Sequence, residues 1–397
     1  MKDQRPLNYS RHLIDEDDIQ AVVAVLRGDL ITQGPIVELF EAALVKQTGA
    51  KHAIAVSNGT AALHLACLAA DMKPGDVGVT SALTFVASAN AMRYCGADVK
   101  LTDIDPQTLC MSPSSLEAVL KKTPEVSVII PVHFSGLTTD AKELRRIAGD
   151  RIIIEDAAHA LGARYENGHQ VGCGDYADMT TLSFHPVKPI TTGEGGAVLT
   201  NDDALAHRLR LLRTHGIERD RNSLQNEEAA FEGGERRPWY FEQQYLGFNY
   251  RLTDIQAALG LSQINKLNDF VGRRRKIAAR YDQAFAALNG LTPCQDLPQQ
   301  RLNSGHHLYL VAFDYEAIGR TRIAIIERLL EKNVGTQVHY IPVYHHPYHK
   351  DPTQSGPSDF PATEAYYKSC LSLPLFPGMS DDEVEYVIKA VQESVGA

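Results

Sequence analysis

The sequence predicts an α/β protein with a large domain built on a mostly parallel sheet and a smaller α/β domain after it. Its 397 residues, 44% of them hydrophobic, are enough for two domains. Short apolar runs alternate with helical segments along the first half of the chain. A polar stretch, residues 217–244, then interrupts this alternation. We predict the domain junction there, with the large domain at 1–245 and the small domain at 246–397.

The elements of the large domain follow in order. The first helix is indicated by apolar residues with helical spacing before Gly28, namely Ile19, Val22, Val23 and Leu26. The runs "HAIAV", "VGVT", "VSVIIPV" and "RIIIED" have the length and composition of buried strands. Helical sequences follow the first two of them. This order predicts strand and helix units that form a parallel sheet.

The polar stretch 217–244 is compatible with an ordered excursion or with a mobile loop. After it, Thr253 and Gln256 match a capping box at the start of a helix. One face of a single continuous helix is then predicted by the spacing of Ala257, Leu261, Ile264, Leu267 and Val271.

Composition excludes several classes of protein. No apolar run approaches the roughly 18 residues that a membrane span needs, and residues 1–12 are too polar for a secretory signal, so we expect a cytoplasmic protein without membrane contacts. Six cysteines without a Cys-x-x-Cys pair indicate neither a disulfide framework nor a zinc ribbon. The net charge of −10 leaves no broad basic face for nucleic acid. An anionic ligand would therefore be bound by local donors.

Two candidate sites lie where predicted strands meet helix starts. In "VSNGTAAL", Gly59 and Thr60 could offer N–H and hydroxyl donors to a phosphate, or the cluster could serve only as a helix cap. In "RIIIEDAAHALGA", Asp156 follows an apolar run, so its carboxylate needs a cation or proton donor as partner. An ordinary ion pair would also meet this need, and His159 could be a satisfied polar residue.

The third candidate is Lys188 in "SFHPVKPITTGEGGAVLTND". Pro186 and Pro189 restrict the backbone on both sides of the lysine, and the following glycines allow a sharp turn into the strand "AVLT". A solvated surface lysine rarely needs such a frame. A lysine amine withdrawn from water becomes a nucleophile toward carbonyl groups.

Together these sites match the three groups by which proteins hold pyridoxal 5'-phosphate (PLP). Its aldehyde bonds a lysine, its ring nitrogen pairs with a carboxylate, and its phosphate lies at a helix start. Phe85 could supply an aromatic face for the ring or be a core residue. We therefore predict PLP as the cofactor, with Lys188 also moving the substrate proton as general base and then acid.

Several motifs in order carry a resemblance to a known family. They are "TQGP", "SNGTAALHLA", "TFVASANA", "EDAAHALGA", "SFHPVKPITTGEGGAVLTND", "LGFNYRLTDIQAALGLSQ", "GTQVHYIPVY" and "LSLPLFPGMSDDE". This set resembles the DegT/DnrJ/StrS sugar aminotransferase family over nearly the whole chain. The resemblance implies fold type I of the PLP-dependent transferases, the aspartate aminotransferase fold. It also implies a homodimer whose active sites are shared between subunits.

The resemblance also assigns roles to residues. Lys188 corresponds to the lysine that bonds the cofactor, Asp156 to the partner of the ring nitrogen, Phe85 to the stacking aromatic and His159 to the residue beside the ring hydroxyl. The phosphate contacts correspond to Gly59, Thr60 and Ser183, and to Asn249 reaching over from the other subunit. Residues implied to line the sugar-nucleotide site are Tyr9, Asp29, Leu30, Ile31, Thr32, Ser183, Asn249, Gln337, Val338, His339 and Tyr340.

Within the family, "SFHPVKPITTGEGG", "VHYIPVY" and "NYS" most resemble the transaminases of pseudaminic acid biosynthesis. The implied reaction moves the amino group of L-glutamate to C4 of UDP-2-acetamido-2,6-dideoxy-β-L-arabino-hex-4-ulose. The product is UDP-4-amino-4,6-dideoxy-N-acetyl-β-L-altrosamine. The sequence departs from these relatives at "VHFSG" around His133 and in the longer stretch 217–244, so substrate contacts there are not carried over.

Four alternatives remain open. One is an aminotransferase for another nucleotide ketosugar, such as UDP-4-keto-L-arabinose. A pyridoxamine-dependent sugar dehydratase is disfavoured because Lys188 is retained, and a non-enzymatic phosphate-binding module would not need both Lys188 and Asp156. A metal site could involve His339, His345, His346 and His349, but no helix or strand spacing sets them as ligands, so no metal is predicted.

Overall fold

A seven-stranded sheet forms the centre of the computed structural model, which describes residues 6–350 and 356–396. Its strands are β1 (His52–Val56), β2 (Val77–Ser81), β3 (Asp98–Thr102), β4 (Val126–Ile130), β5 (Ile152–Asp156), β6 (Met179–Ser183) and β7 (Gly196–Thr200). Across the sheet they follow the order β1-β7-β6-β5-β4-β2-β3. The pairs from β3 to β6 are parallel, and only β7 runs against its neighbours β1 and β6. The predicted mostly parallel sheet is confirmed.

Helices cover both faces of this sheet. They are α1 (Glu16–Leu26), α2 (Pro35–Thr48), α3 (Gly59–Ala69), α4 (Ala87–Tyr94), α5 (Pro113–Lys122), α6 (Ala141–Ala148) and α7 (Asp203–Arg213). In β1, Ile54 and Val56 pack in one buried cluster with α3 and α4, whereas Ala53 and Ala55 pack in another with Phe40 of α2. Burial on both faces explains why the strands read as continuous apolar runs.

The polar stretch folds as an ordered excursion. Its elements are β8 (Ile217–Glu218), α8 (Glu227–Ala230), β9 (Phe231–Glu232), β10 (Glu235–Arg236) and β11 (Glu242–Gln243). β8 pairs with β11, and β9 with β10. The Glu242 carboxylate accepts hydrogen bonds from the backbone N–H groups of Gln225 and Asn226, both at 2.8 Å. Of the two alternatives for this stretch, the structure therefore has the ordered one.

The prediction of a single continuous helix after the polar stretch 217–244 is wrong. The capping box of Thr253 and Gln256 is present, but the chain forms two helices, α9 (Asp254–Ile264) and α10 (Leu267–Phe285). At the break, the Lys266 N–H donates to the Gln263 carbonyl at 3.0 Å instead of to the carbonyl four residues back. The Lys266 ammonium there pairs with Asp18 at 3.0 Å. The apolar face nevertheless continues through one core cluster.

The remaining chain builds a second, smaller sheet. Its antiparallel strands are β12 (Leu291–Pro293), β13 (Tyr309–Phe313) and β14 (Cys370–Leu373), and its helices are α11 (Pro298–Asn303), α12 (Tyr315–Ile318), α13 (Arg322–Glu331), α14 (Pro361–Ser369) and α15 (Asp381–Val395). These strands share a core with α10, α13 and α15. The domain boundary between 245 and 246 stays a prediction, since Leu252 and Ala257 beyond it pack in the cluster that contains Phe40.

None of the helices in the described part of the chain combines the length and the hydropathy that a membrane crossing requires.

Candidate active site

A cavity of about 900 Å³ opens at the edge where β1, β5 and β6 end and β7 begins. Strand ends and helix starts meet there, so backbone N–H groups and polar side chains converge on one space. Most of the residues predicted for the site line it: Tyr9, Gly59, Thr60, Phe85, Asp156, His159, Ser183, Lys188, Gln337, Val338, His339 and Tyr340. The cavity therefore unites groups that are widely separated in the sequence.

Two predicted parts of the site do not line this cavity. Asn249 is exposed and pairs with Thr214 in an isolated bridge, although its neighbour Tyr250 is on the cavity wall. Residues 29–32 are also exposed, and the Asp254 N–H fixes their loop by donating to the Ile31 carbonyl at 3.1 Å. A single chain therefore does not bring these residues to its own site, and their binding roles stay predictions.

Asp156 ends β5 with its carboxylate buried at the cavity floor. Ser88 of α4 donates to Oδ2 at 2.7 Å, and the Ala158 N–H donates to Oδ1 at 3.1 Å. Thr84 in turn contacts the Ser88 hydroxyl at 2.9 Å. No lysine, arginine or histidine of the described residues pairs directly with this carboxylate. Its buried charge therefore suits a protonated nitrogen of a ligand.

The preceding residue, Glu155, points to the opposite face of β5. Its carboxylate accepts hydrogen bonds from Tyr165 at 2.6 Å and Thr180 at 3.0 Å, and lies 3.2 Å from His133 Nε2. Burial raises the pKa of Glu155, but these partners outweigh it and lower the pKa overall. His133, in the "VHFSG" stretch, is thus part of the core and is not among the residues that line the cavity.

Lys188 carries its amine on the cavity wall. The turn that holds it is closed by the Lys188 N–H, which donates to the His185 carbonyl at 2.9 Å, and by Ser10, which donates to the Val187 carbonyl at 3.2 Å. Withdrawal from water lowers the pKa of Lys188 to about 8, although the charge of Asp156 acts in the opposite direction. The amine is therefore much more often neutral, and nucleophilic, than that of an ordinary lysine.

The start of α3 forms a cradle for an anion. Asn58 caps the helix by accepting from the Ala61 N–H at 2.8 Å, which leaves the N–H groups of Gly59 and Thr60 without partners among the described residues. A Cβ atom on Gly59 would lie 2.9 Å from that of Ser183, so only glycine allows this close approach. Two free N–H groups and the Ser183 hydroxyl at a helix N-terminus suit a phosphate.

His159 and Phe85 occupy the upper wall. His159 Nε2 lies 3.2 Å from the Tyr340 hydroxyl, and its ring packs on that of His307 at 4.3 Å. Phe85 is 55% exposed, with its ring 5.8 Å from that of Tyr340. An exposed aromatic ring that lines the same cavity as a buried carboxylate is suited to stacking on a flat ligand.

These residues fit PLP. The lysine, the buried carboxylate and the phosphate cradle line the same cavity. The amine could bond the aldehyde of the cofactor, and the other two could form hydrogen bonds with its ring nitrogen and phosphate. Sequence reasoning missed Ser88 and Thr84, which hold Asp156, and the pairing of His159 with Tyr340. Phe85 lies before α4, so no helical spacing in the sequence pointed from it to Ser88.

Three histidines of the alternative metal site have separate partners. His339 contacts Ser372, His345 contacts Glu364, and His349 contacts Asn90. Among described residues, the group with metal-binding proximity is another one, His169, Cys173 and Asp175, on the loop before β6. Among the described residues, the histidines of this alternative do not form a ligand group.

Comparisons with known proteins agree over nearly the whole length. The family model described as DegT/DnrJ/EryC1/StrS aminotransferase matches residues 12–392. The spore coat polysaccharide biosynthesis protein SpsC of Bacillus subtilis (strain 168) is 39% identical over 394 residues, covering 98% of this chain and 97% of SpsC.

Solved structures show the same fold. Helicobacter pylori PseC, described as an aminotransferase involved in the biosynthesis of pseudoaminic acid, has a TM-score of 0.86 and 28% identity, with 98% of this chain and 99% of that chain covered. Spr1654 from Streptococcus pneumoniae, solved in a PLP form, has a TM-score of 0.84 and 27% identity, with 98% of each chain covered.

Proposed function

The chain belongs to the DegT/DnrJ/EryC1/StrS aminotransferase family, and from this premise we propose that it aminates C4 of UDP-2-acetamido-2,6-dideoxy-β-L-arabino-hex-4-ulose with L-glutamate as donor. The product would be UDP-4-amino-4,6-dideoxy-N-acetyl-β-L-altrosamine, for pseudaminic acid biosynthesis. The predicted family, fold type I and PLP as cofactor are confirmed, and the protein is a PLP-dependent sugar aminotransferase. The donor, the sugar and the ring position are the proposal, and the cytoplasmic location stays a prediction.

One observation carries the amino-transfer chemistry of this proposal: Lys188, Asp156 and the free N–H groups at the start of α3 line one cavity. Bound PLP supplies an electron-withdrawing ring that stabilises the charge left when a proton leaves carbon. Asp156 would keep the ring nitrogen in its protonated form, and the α3 cradle would hold the phosphate. Lys188, with its pKa lowered to about 8, can accept and return the proton near neutral pH.

Support for the particular sugar comes from the likeness to PseC. The higher identity to SpsC, named for spore coat polysaccharide biosynthesis, favours keeping a second candidate, another nucleotide ketosugar such as UDP-4-keto-L-arabinose. Both substrates need the same cofactor contacts. The choice between them therefore depends on residues around the sugar, and a substrate comparison must make it.

We also propose a homodimer with shared sites. Among the described lining residues of the cavity, Lys188 is the only lysine, and none is an arginine. The diphosphate of a UDP-sugar needs more donors than this, and the exposed Asn249 and residues 29–32 are available to a second subunit. A mixing experiment tests this, because Lys188→Ala and Asn249→Ala subunits combined should form one intact site per mixed dimer. Random mixing then restores about a quarter of wild-type activity. No recovery would refute the shared site.

The reaction itself is tested in two half-steps. Holoenzyme is given L-glutamate while the absorbance of bound PLP is followed, with D-glutamate and Lys188→Ala as controls. Each candidate UDP-ketosugar is then added, and mass spectrometry identifies the product. Recovery of the original absorbance only with the β-L-arabino ketosugar, together with a 4-amino product, supports the proposal. Recovery only with UDP-4-keto-L-arabinose would replace it with the second candidate.

A further inference from the structure

Ser135 is held in an unusual conformation beside the cavity. Its φ of 64° lies in the left-handed region, in the turn Phe134–Gly136 after β4. Its carbonyl accepts from the His307 N–H at 2.8 Å, and its hydroxyl donates to the Leu308 carbonyl at 2.9 Å. These contacts aim the Ser135 N–H at His159 Nδ1, at 3.2 Å.

This hydrogen bond determines which ring nitrogen of His159 carries a proton. Nδ1 accepts from Ser135, so a neutral imidazole must be protonated on Nε2. Burial lowers the pKa of His159 well below its ordinary value, and the charges of Lys188 and His339 act in the same direction. The neighbouring ring of His307 is also buried, and burial lowers its pKa in turn. His159 is therefore neutral at physiological pH and donates through Nε2.

The acceptor of that proton is the Tyr340 hydroxyl, 3.2 Å from Nε2. Since Tyr340 accepts from His159, its own proton is free to be donated elsewhere. In the described part of the chain this hydroxyl has no other hydrogen-bond partner, and Tyr340 is one of the residues that line the cavity. Burial raises the pKa of Tyr340, with the charges of Tyr9 and Asp156 contributing, so the hydroxyl keeps its proton.

We propose that Tyr340 donates a hydrogen bond to an oxygen atom of the ligand in the cavity, and that Ser135 and His159 are positioning residues that set this direction. The acceptor is a phenolate or carbonyl oxygen, from the ring of PLP or from the ketosugar. The first source depends only on the cofactor. The second rests on the proposed function, and the experiments below separate the two.

The tautomer is tested first, by ¹⁵N NMR of the histidine rings in the holoenzyme without substrate. His159→Asn identifies the signals. The expected result is a protonated Nε2 and an unprotonated Nδ1 that persist from about pH 5 to 9. A proton on Nδ1, or titration near the ordinary histidine pKa, would overturn the inference.

Matched variants test the direction. His159→Gln keeps an N–H donor at the Nε2 position, whereas His159→Asn keeps only an acceptor toward Ser135, and Tyr340→Phe removes the donor to the ligand. Tyr281→Phe is the control, because its hydroxyl donates to the Pro374 carbonyl away from the cavity, at 2.9 Å. The readouts are the pH midpoint of the absorbance of bound PLP, without substrate, and the KM for the ketosugar.

We expect Tyr340→Phe and His159→Asn to change the same readout. The change should be about 0.7 pH unit in the absorbance midpoint, or about threefold to fivefold in the KM for the ketosugar. His159→Gln should give values near those of the wild type. A shift in the midpoint identifies PLP as the source of the oxygen, and a change in KM alone identifies the sugar. The proposal fails if Tyr340→Phe moves neither readout, or if His159→Gln behaves like His159→Asn. Either failure would leave the aminotransferase assignment intact.

Discussion

The lowered pKa of Lys188 has a direct consequence for its reactivity in the protein without cofactor. With a pKa of about 8 instead of 10.5, about 9% of its amine is neutral at pH 7, against about 0.03% for an ordinary lysine. The difference is about 300-fold in the reactive form. Because the shift comes from burial, it should persist in any folded state that keeps the cavity closed to bulk water.

Competitive labelling measures this directly. Apoprotein is treated with a trace of acetic anhydride from pH 6 to 11, and mass spectrometry compares Lys188 with Lys142, an exposed lysine on α6, in the same digest. We expect labelling of Lys188 to level off above about pH 8.5. Asp156→Asn should move its midpoint lower, because the carboxylate favours the charged amine. Labelling that rises in parallel with Lys142 through pH 10 would refute the reasoning.

Three further predictions concern the cofactor site and its surroundings. Asp156→Asn should lower kcat by about 10- to 100-fold, the value of a hydrogen bond to a charged group, with unfolding midpoints unchanged; wild-type kinetics would contradict its role. Gly59→Ala should weaken PLP binding at equilibrium dialysis by about tenfold or more, because its Cβ would lie 2.9 Å from that of Ser183. Gly272→Ala on α10 is the matched control, because a Cβ atom added there would have no other atom within 4 Å. This variant should bind PLP normally, and its free energy of unfolding in urea should be higher by about 0.5–1 kcal/mol, since alanine favours the helix more than glycine does.

The sequence was most informative where the signal is local. Apolar runs located β1, β2, β4, β5 and β7, the flanking prolines singled out Lys188, and the strand ends located Gly59 and Asp156. These succeed because the carboxyl ends of parallel strands necessarily meet at one edge. The capping box of Thr253 was likewise readable from four consecutive residues.

Contacts between distant residues were not readable. The break between α9 and α10 coincides with the pairing of Lys266 with Asp18, which lies 248 residues earlier. The same is true of Ser88 on Asp156 and of Tyr340 on His159, since neither pair has a periodic or spacing signal. The sequence therefore predicts which groups reach the cavity, whereas the hydrogen bonds that orient them depend on the tertiary fold.

Glu155 and Asp156 stand side by side on β5 and serve opposite faces of the sheet. Since side chains alternate along a strand, inserting or deleting one residue within β5 would exchange the two carboxylates. The cavity would then receive a longer side chain without Ser88 as its donor, and the core would receive a shorter one out of reach of Tyr165. Length changes in β5 should thus be forbidden in functional variants, whereas the exposed turn 166–169 in the connection after it can vary more freely. For enzyme engineering, the length of β5 should therefore be kept when other parts of the site are changed.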